Sequence, residues 1–171
     1  PEDSGSVWIL YGSATGITAT GLRYLDQDSS DGGGVEMLNS CEVSDFFGQS
    51  LAAGDWNGDF AADLAIGVAS ETLGTTNTAG AVQVVYGFPG VGLRVAGNQF
   101  WRESNVATGG VEEAEDHFGL ALAAGDVTGD GIDDLVIGTP YEDVAGFTDA
   151  GAITLLWGQP GTGLDTPGSE L

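Results

Sequence analysis

One segment of the chain occurs twice, and that recurrence limits the possible folds more than any other feature. FGQSLAAGDWNGDFAADLAIG (47–67) lies over FGLALAAGDVTGDGIDDLVIG (118–138) at an offset of 71 residues. The same offset lays AGAVQVVYG (79–87) over AGAITLLWG (150–158), and SGSVWILYG (4–12) is a third copy of that element. GLRYLDQD (21–28) and GNQFWRES (97–104) form a further shared piece. A chain of this kind builds one supersecondary module per repeat and completes its core by stacking neighbours.

The modules read as strands. SVWILYG and AITLLWG are rich in β-branched and aromatic residues and end at glycine. The 30 glycines fall mostly at segment boundaries, and no stretch keeps a 3.6-residue period long enough for a helix. In the second repeat the strands are expected near 118–125, 134–139 and 151–157, with an ill-defined last strand. The expected fold is all-β, with propeller-type blades of four antiparallel strands and about two and a half blades per chain. The divisions are 1–40, the C-terminal part of a preceding blade; 41–110, a first full blade; and 111–171, a second. SLAAGD and ALAAGD are poor ordinary strands, but their small residues suit innermost strands, where neighbouring backbones converge. A propeller has to close or expose its edges. The chain therefore reads as a fragment of a longer propeller, or as one completed by copies of itself, or as a short open array. Its start at Pro1 fits an excised piece.

Each repeat carries an acidic loop between its first two strands. In D126-V-T-G-D-G-I-D-D134 the oxygen donors are Asp126, Thr128, Asp130, the carbonyl of Ile132, and Asp134. The first loop offers Asp55, Asn57, Asp59, the carbonyl of Ala61, and Asp63 in the same register. Alternate residues of a tight loop turn to one point, and an all-oxygen set suits Ca²⁺ better than Mg²⁺. Without a cation the carboxylates would repel one another. The final acid comes at the ninth position and the flanks are strands, which excludes an EF-hand. Phe60 stands where the second loop has Gly131, so the first loop is expected to be the weaker site if that position is left-handed. Asp133 is expected to point away as a surface or turn residue. The bland alternative for both loops is an Asp-rich hairpin turn with no metal.

The charge balance agrees with cation binding. Asp and Glu total 26 against three arginines, a net charge of −23. Nucleic acid and anionic membranes are excluded as partners, because phosphate binding needs clustered Lys and Arg. No apolar run reaches the roughly 18 residues of a membrane span. Cys41 is alone and reads as a small buried residue.

The FG pair, the LAAGD strand, the Asp-rich loop and DLxIG, in this order and twice, resemble the FG-GAP repeat of integrin α-subunit propellers and of bacterial integrin-like surface proteins. Phe118-Gly119 carries the likeness literally, Ala150-Gly151-Ala152 less so, and Val68-Ala69 departs from Thr139-Pro140. The resemblance implies a closed propeller with calcium in the hairpin loops and a ligand surface on the opposite face. The loops 26–45, 70–79 and 103–117 then become the ligand-facing ones. It also implies an extracellular or cell-surface setting and an unknown protein or glycan partner.

Catalytic signals are weak. His117, the sole histidine, reads as a packing or loop residue, and no nucleophile elbow, P-loop or zinc spacing occurs. Glu112, Glu113, Glu115 and Asp116 read as a solvated loop, with a supplementary cation site as the alternative. Trp8 and Trp157 are taken as core residues at strand positions equivalent to Tyr86, while Trp56 and Trp101 are expected to be partly exposed. The leading expectation is a non-catalytic, calcium-binding module for adhesion or recognition. The alternatives are a structural spacer and the propeller part of a secreted hydrolase or lyase.

Overall fold

The computed structural model describes residues 2–32, 34–106 and 110–166, and the end of the last repeat lies outside them. Two four-stranded antiparallel sheets dominate it. One runs β5 (Ser50–Gly54), β6 (Asp63–Val68), β7 (Ala81–Phe88) and β8 (Gly92–Trp101). The other runs β9 (Ala121–Gly125), β10 (Asp134–Thr139), β11 (Ala152–Gln159) and β12 (Gly163–Asp165). Before them come the hairpin of β1 (Val7–Ser13) and β2 (Gly16–Leu25) and the short pair β3 (Ser30–Gly32) and β4 (Val35–Glu36). The helical content among the described residues is one 3₁₀ turn, Glu103–Asn105. The sheets are successive blades, each strand paired with the next in sequence.

Antiparallel order places the connections at two ends. The hairpin loops 55–62 and 126–133 share one end with the β7–β8 and β11–β12 turns. The β6–β7 and β10–β11 connections and the links between blades share the other. The Ala-rich strands lie innermost, with β5 and β9 side by side. Ser50 Oγ reaches the Gly119 carbonyl across that gap at 2.6 Å.

The repeated FG pair explains how blades join. Phe118 is fully buried, and its N–H donates to the Ala79 carbonyl of the blade before it at 2.9 Å. Phe47 does the same to Ser4 at 2.8 Å. Phe118 lies against Gly80, at φ +87°, where any Cβ would strike the Phe118 backbone. One repeat's FG thus needs the preceding repeat's glycine, which is why both recur at one spacing.

Coverage by neighbours decides burial. In the middle blade β7 is buried at every position but Phe88. In the last blade β11 alternates, because only one face is covered. This corrects the reading of the tryptophans. The residue aligned with Tyr86 and Trp157 is Tyr11, not Trp8, whose counterparts are Gln83 and Thr154. Trp8 is 59% exposed, stacked edge-on to Tyr24 with ring centres 5.2 Å apart. Trp157 is half-buried. Trp56 and Trp101, expected to be partly exposed, are both in the core. Trp56 is enclosed because the next blade closes over it: Gln159 N–H donates to its carbonyl at 3.0 Å. Cys41 is half-buried rather than buried.

Candidate metal centres

The first hairpin loop folds around its own carboxylates. Asp55 accepts the N–H groups of Asp59 at 3.1 Å and Phe60 at 2.9 Å, and Asn57 Oδ1 accepts Asp59 N–H at 3.0 Å. Asp59 in turn accepts the Ala61 N–H at 2.8 Å. Asp63, at the head of β6, lies beneath and accepts Trp56 and Gly87 N–H groups at 2.9 and 2.8 Å. The second loop repeats this. Asp126 accepts N–H groups of Gly129, Asp130 and Gly131 at 2.6, 3.1 and 2.9 Å, and Asp130 accepts that of Ile132 at 2.9 Å. Asp134 accepts the N–H groups of Val127, Thr128 and Gly158, the longest at 3.1 Å. Side-chain oxygens that turn back to the loop's own N–H groups hold it in its tight form.

Phe60 takes φ +66° where Gly131 takes φ +92°, so the position is left-handed in both loops. Its ring is 96% exposed and gains no packing in return. Asp133 is not a free surface residue: it accepts the Asp55 N–H at 3.0 Å and donates its own to the Asp55 carbonyl at 3.2 Å, tying blade to blade. Sequence reasoning missed this because the partner lies 78 residues away.

The donors in the loops are oxygen throughout, and among the described residues no ion pair engages them. The ion pairs among the described residues, Arg23–Asp31 and Arg102–Glu112, lie elsewhere. Burial pushes Asp63 up to about 6 against its N–H bonds, and the charges of Asp59 and Asp55 push the same way. An all-oxygen donor set of this kind suits a hard divalent ion, although the carboxylate oxygens of neither loop are among the groups that converge within 4.8 Å.

Two tighter groups lie at the opposite end. Glu42, Asp45 and Glu71 bring carboxylate oxygens within 4.8 Å of one another, and so do Glu103, Asp116 and Glu142. Asp45 and Asp116 were readable as a pair at the 71-residue offset, as were Glu71 and Glu142. Their meeting across a blade boundary was not. Asp116 is 2% exposed, so the acidic run 112–116 is not uniformly solvated. Burial raises Glu71 to about 7, although the side chains of Asn39 and Gln27 act to lower it. Of the loops expected to face a ligand, 26–45 is described except at 33 and 103–117 except at 107–109. His117 Nδ1 lies 2.8 Å from the Ala69 carbonyl and its ring packs edge-on against Tyr141, consistent with a packing role.

Comparison with known proteins follows the same two segments. The FG-GAP repeat matches residues 47–85 and 118–156. The chain is 31% identical over 156 residues to phosphatidylinositol-glycan-specific phospholipase D of Rattus norvegicus, covering 91% of this chain and 17% of that protein. It is 32% identical over 164 residues to integrin alpha-5 of Xenopus laevis, covering 95% of this chain and 14% of the relative. With integrin alpha-PS2 of Drosophila melanogaster the identity is 32% over 123 residues, 68% of this chain and 8% of the relative. The chain belongs to the FG-GAP repeat proteins and is a set of β-propeller blades. It spans less than a fifth of the length of these relatives.

Proposed function

We propose that the chain is a calcium-stabilised, non-catalytic propeller module that works outside the cell in adhesion or recognition. The observation that carries this reading is the doubled hairpin loop: the same oxygen donors, in the same register, at the same end of two blades. Asp55, Asn57, Asp59, Asp63 and the Ala61 carbonyl would hold one Ca²⁺. Asp126, Thr128, Asp130, Asp134 and the Ile132 carbonyl would hold the other. The ion would supply positive charge between the one buried aspartate of each loop and its more exposed partners, and so lock each hairpin. The second loop binds more tightly, because Gly131 takes the left-handed backbone without the strain that Phe60 bears. Ligands would engage the other end of the blades, where the variable connections lie. Other blades of a parent protein, or copies of the chain, would complete the ring.

Calorimetric titration of chelator-stripped protein with Ca²⁺ tests the metal reading. Asp130→Ala should abolish one site and leave its partner intact. Identical titrations of wild type and variant would refute it. A second reading takes the chain as the propeller part of a larger enzyme, and the match to phosphatidylinositol-glycan-specific phospholipase D over 91% of the chain favours it. Turnover of a phosphoester by this chain alone would replace the non-catalytic reading.

A further inference from the structure

The two acidic groups away from the hairpins occupy equivalent places, and the differences between them are informative. Each sits where the outer strand of one blade leads into the next. The first joins Gln27 after β2, Asp45 before β5, and Glu71 after β6. The second joins Glu103 after β8, Asp116 before β9, and Glu142 after β10. Asp45 accepts the Glu42 N–H at 2.5 Å, and Asp116 accepts the Glu113 N–H at 2.7 Å.

Three positions then diverge. The counterpart of Gln27 is Glu103, that of Asn39 is Gly110, and that of Val68 is Thr139. At the first seam Gln27 Nε2 donates to Glu71 Oε2 at 2.6 Å, and the Asn39 side chain lies beside Glu71 with its Nδ2 buried and unpartnered. The Gln27 amide there offsets the buried charge. At the second seam both amides are gone and two more oxygen donors have arrived. Glu103 is 5% exposed and Thr139 fully buried. Glu103 Oε2, Glu142 Oε2 and Thr139 Oγ1 are buried with no hydrogen-bond partner. Thr139 turns its hydroxyl toward Glu103, and the negative charges of Glu113 and Asp143 face Glu142. His117 lies beside Asp116, but its ring nitrogen Nδ1 is at the Ala69 carbonyl. Arg102, the neighbouring arginine, is directed to Glu112 at 3.5 Å.

Carboxylate oxygens and a hydroxyl oxygen buried without a hydrogen-bond partner are costly unless something positive joins them. We propose that the seam between the two full blades binds a hard divalent cation of the calcium class through Glu103, Asp116 and Glu142, with Thr139 Oγ1 beside it. The seam before it does without one, because an amide, Gln27, stands where the second seam has the carboxylate of Glu103. The triad's oxygens are close enough to share an ion at ordinary Ca²⁺–oxygen distances of ~2.3–2.6 Å. A cleft of about 430 Å³, lined in part by Glu103, Glu113, Glu142 and Asp143, gives the ion and its waters a way in. This site stands apart from the hairpin loops and does not depend on their binding calcium.

Glu103→Gln copies the first seam and so preserves a fold the chain already uses. The test counts Ca²⁺ ions by native mass spectrometry and calorimetry on stripped full chain, with Mn²⁺ as a second probe. Four proteins are compared: wild type, Glu103→Gln, the double variant Asp59→Ala with Asp130→Ala, and all three changes together. Glu103→Gln should bind one ion fewer than wild type, whatever the hairpins hold. The double variant should keep one ion and the triple variant none. Mn²⁺ bound to the double variant should broaden the amide resonances of Thr139 and Glu103 first. Thr139→Val, which copies Val68, should weaken this site by roughly tenfold rather than remove it. Equal ion counts in wild type and Glu103→Gln, or a double variant that binds nothing, overturn the proposal. The seam would then be neutralised by a proton shared between Glu103 and Glu142.

Discussion

At residue scale the two hairpins differ most at one backbone angle. Phe60 holds φ +66° with a ring 96% exposed, so it carries the strain of a left-handed side chain and no compensating contact. Glycine removes that strain but loses more freedom on folding. The balance favours glycine, and Phe60→Gly should stabilise the folded state by about 0.5–1 kcal/mol in denaturant titrations. Calcium affinity of the first loop should rise toward that of the second. No gain in stability would mean that the neighbouring loop, not the φ angle, sets the conformation. That the two loops differ here was visible in the sequence, since Gly131 and Phe60 align. The left-handed requirement itself was not, because an Asp-rich turn can be built with several backbone shapes.

At the scale of elements, a tyrosine from each of the first two blades clasps the next. Tyr86 Oη accepts the Leu164 N–H at 2.9 Å, and Tyr11 Oη accepts the Leu93 N–H at 3.2 Å. Each hydroxyl lies over a turn glycine, Gly163 or Gly92, where an added Cβ would overlap it. Gly161 offers a control in the same turn: its φ of +74° is as left-handed as Gly163, yet a Cβ there meets nothing within 4 Å. Both Gly161→Ala and Gly163→Ala pay the backbone penalty. Gly163→Ala should cost roughly 1–3 kcal/mol more in thermal or denaturant unfolding, because overpacking and a lost hydrogen bond add to it. Equal losses would mean that the clasp contributes nothing. Strand order, the four-strand blade and the inner position of the Ala-rich strands were all readable, because each repeats locally. The clasp, the Asp133–Asp55 link and the seam triads were not. They join residues that only stacking brings together, and a self-comparison of the chain reports what recurs rather than what touches.

At the scale of the whole molecule the governing quantity is charge. A net −23 over 171 residues makes the compact state repel itself, and three arginines cannot offset it. Diffuse screening and specific binding would both stabilise the fold, but they respond differently to salt. Raising NaCl from 0.1 to 1 M shortens the Debye length from ~10 to ~3 Å, so melting temperature in chelator should climb steadily. Site-bound Ca²⁺ instead adds about 2.7 kcal/mol per site at a hundredfold excess over its dissociation constant. Each kcal/mol corresponds to roughly 2–4 °C for a domain of this size, so two hairpin sites should add roughly 10–20 °C. Part of that increment should persist in 1 M NaCl, where surface repulsion is already screened, because buried or partly buried charges are screened much less. Mg²⁺, of equal charge but reluctant to give up its waters, should reproduce little of it. If 1 M NaCl alone matched the full calcium shift, the ion would be acting on the surface as a whole. The hairpins would then be ordinary acidic turns, and the order imposed by the repeats would rest on packing at the blade boundaries.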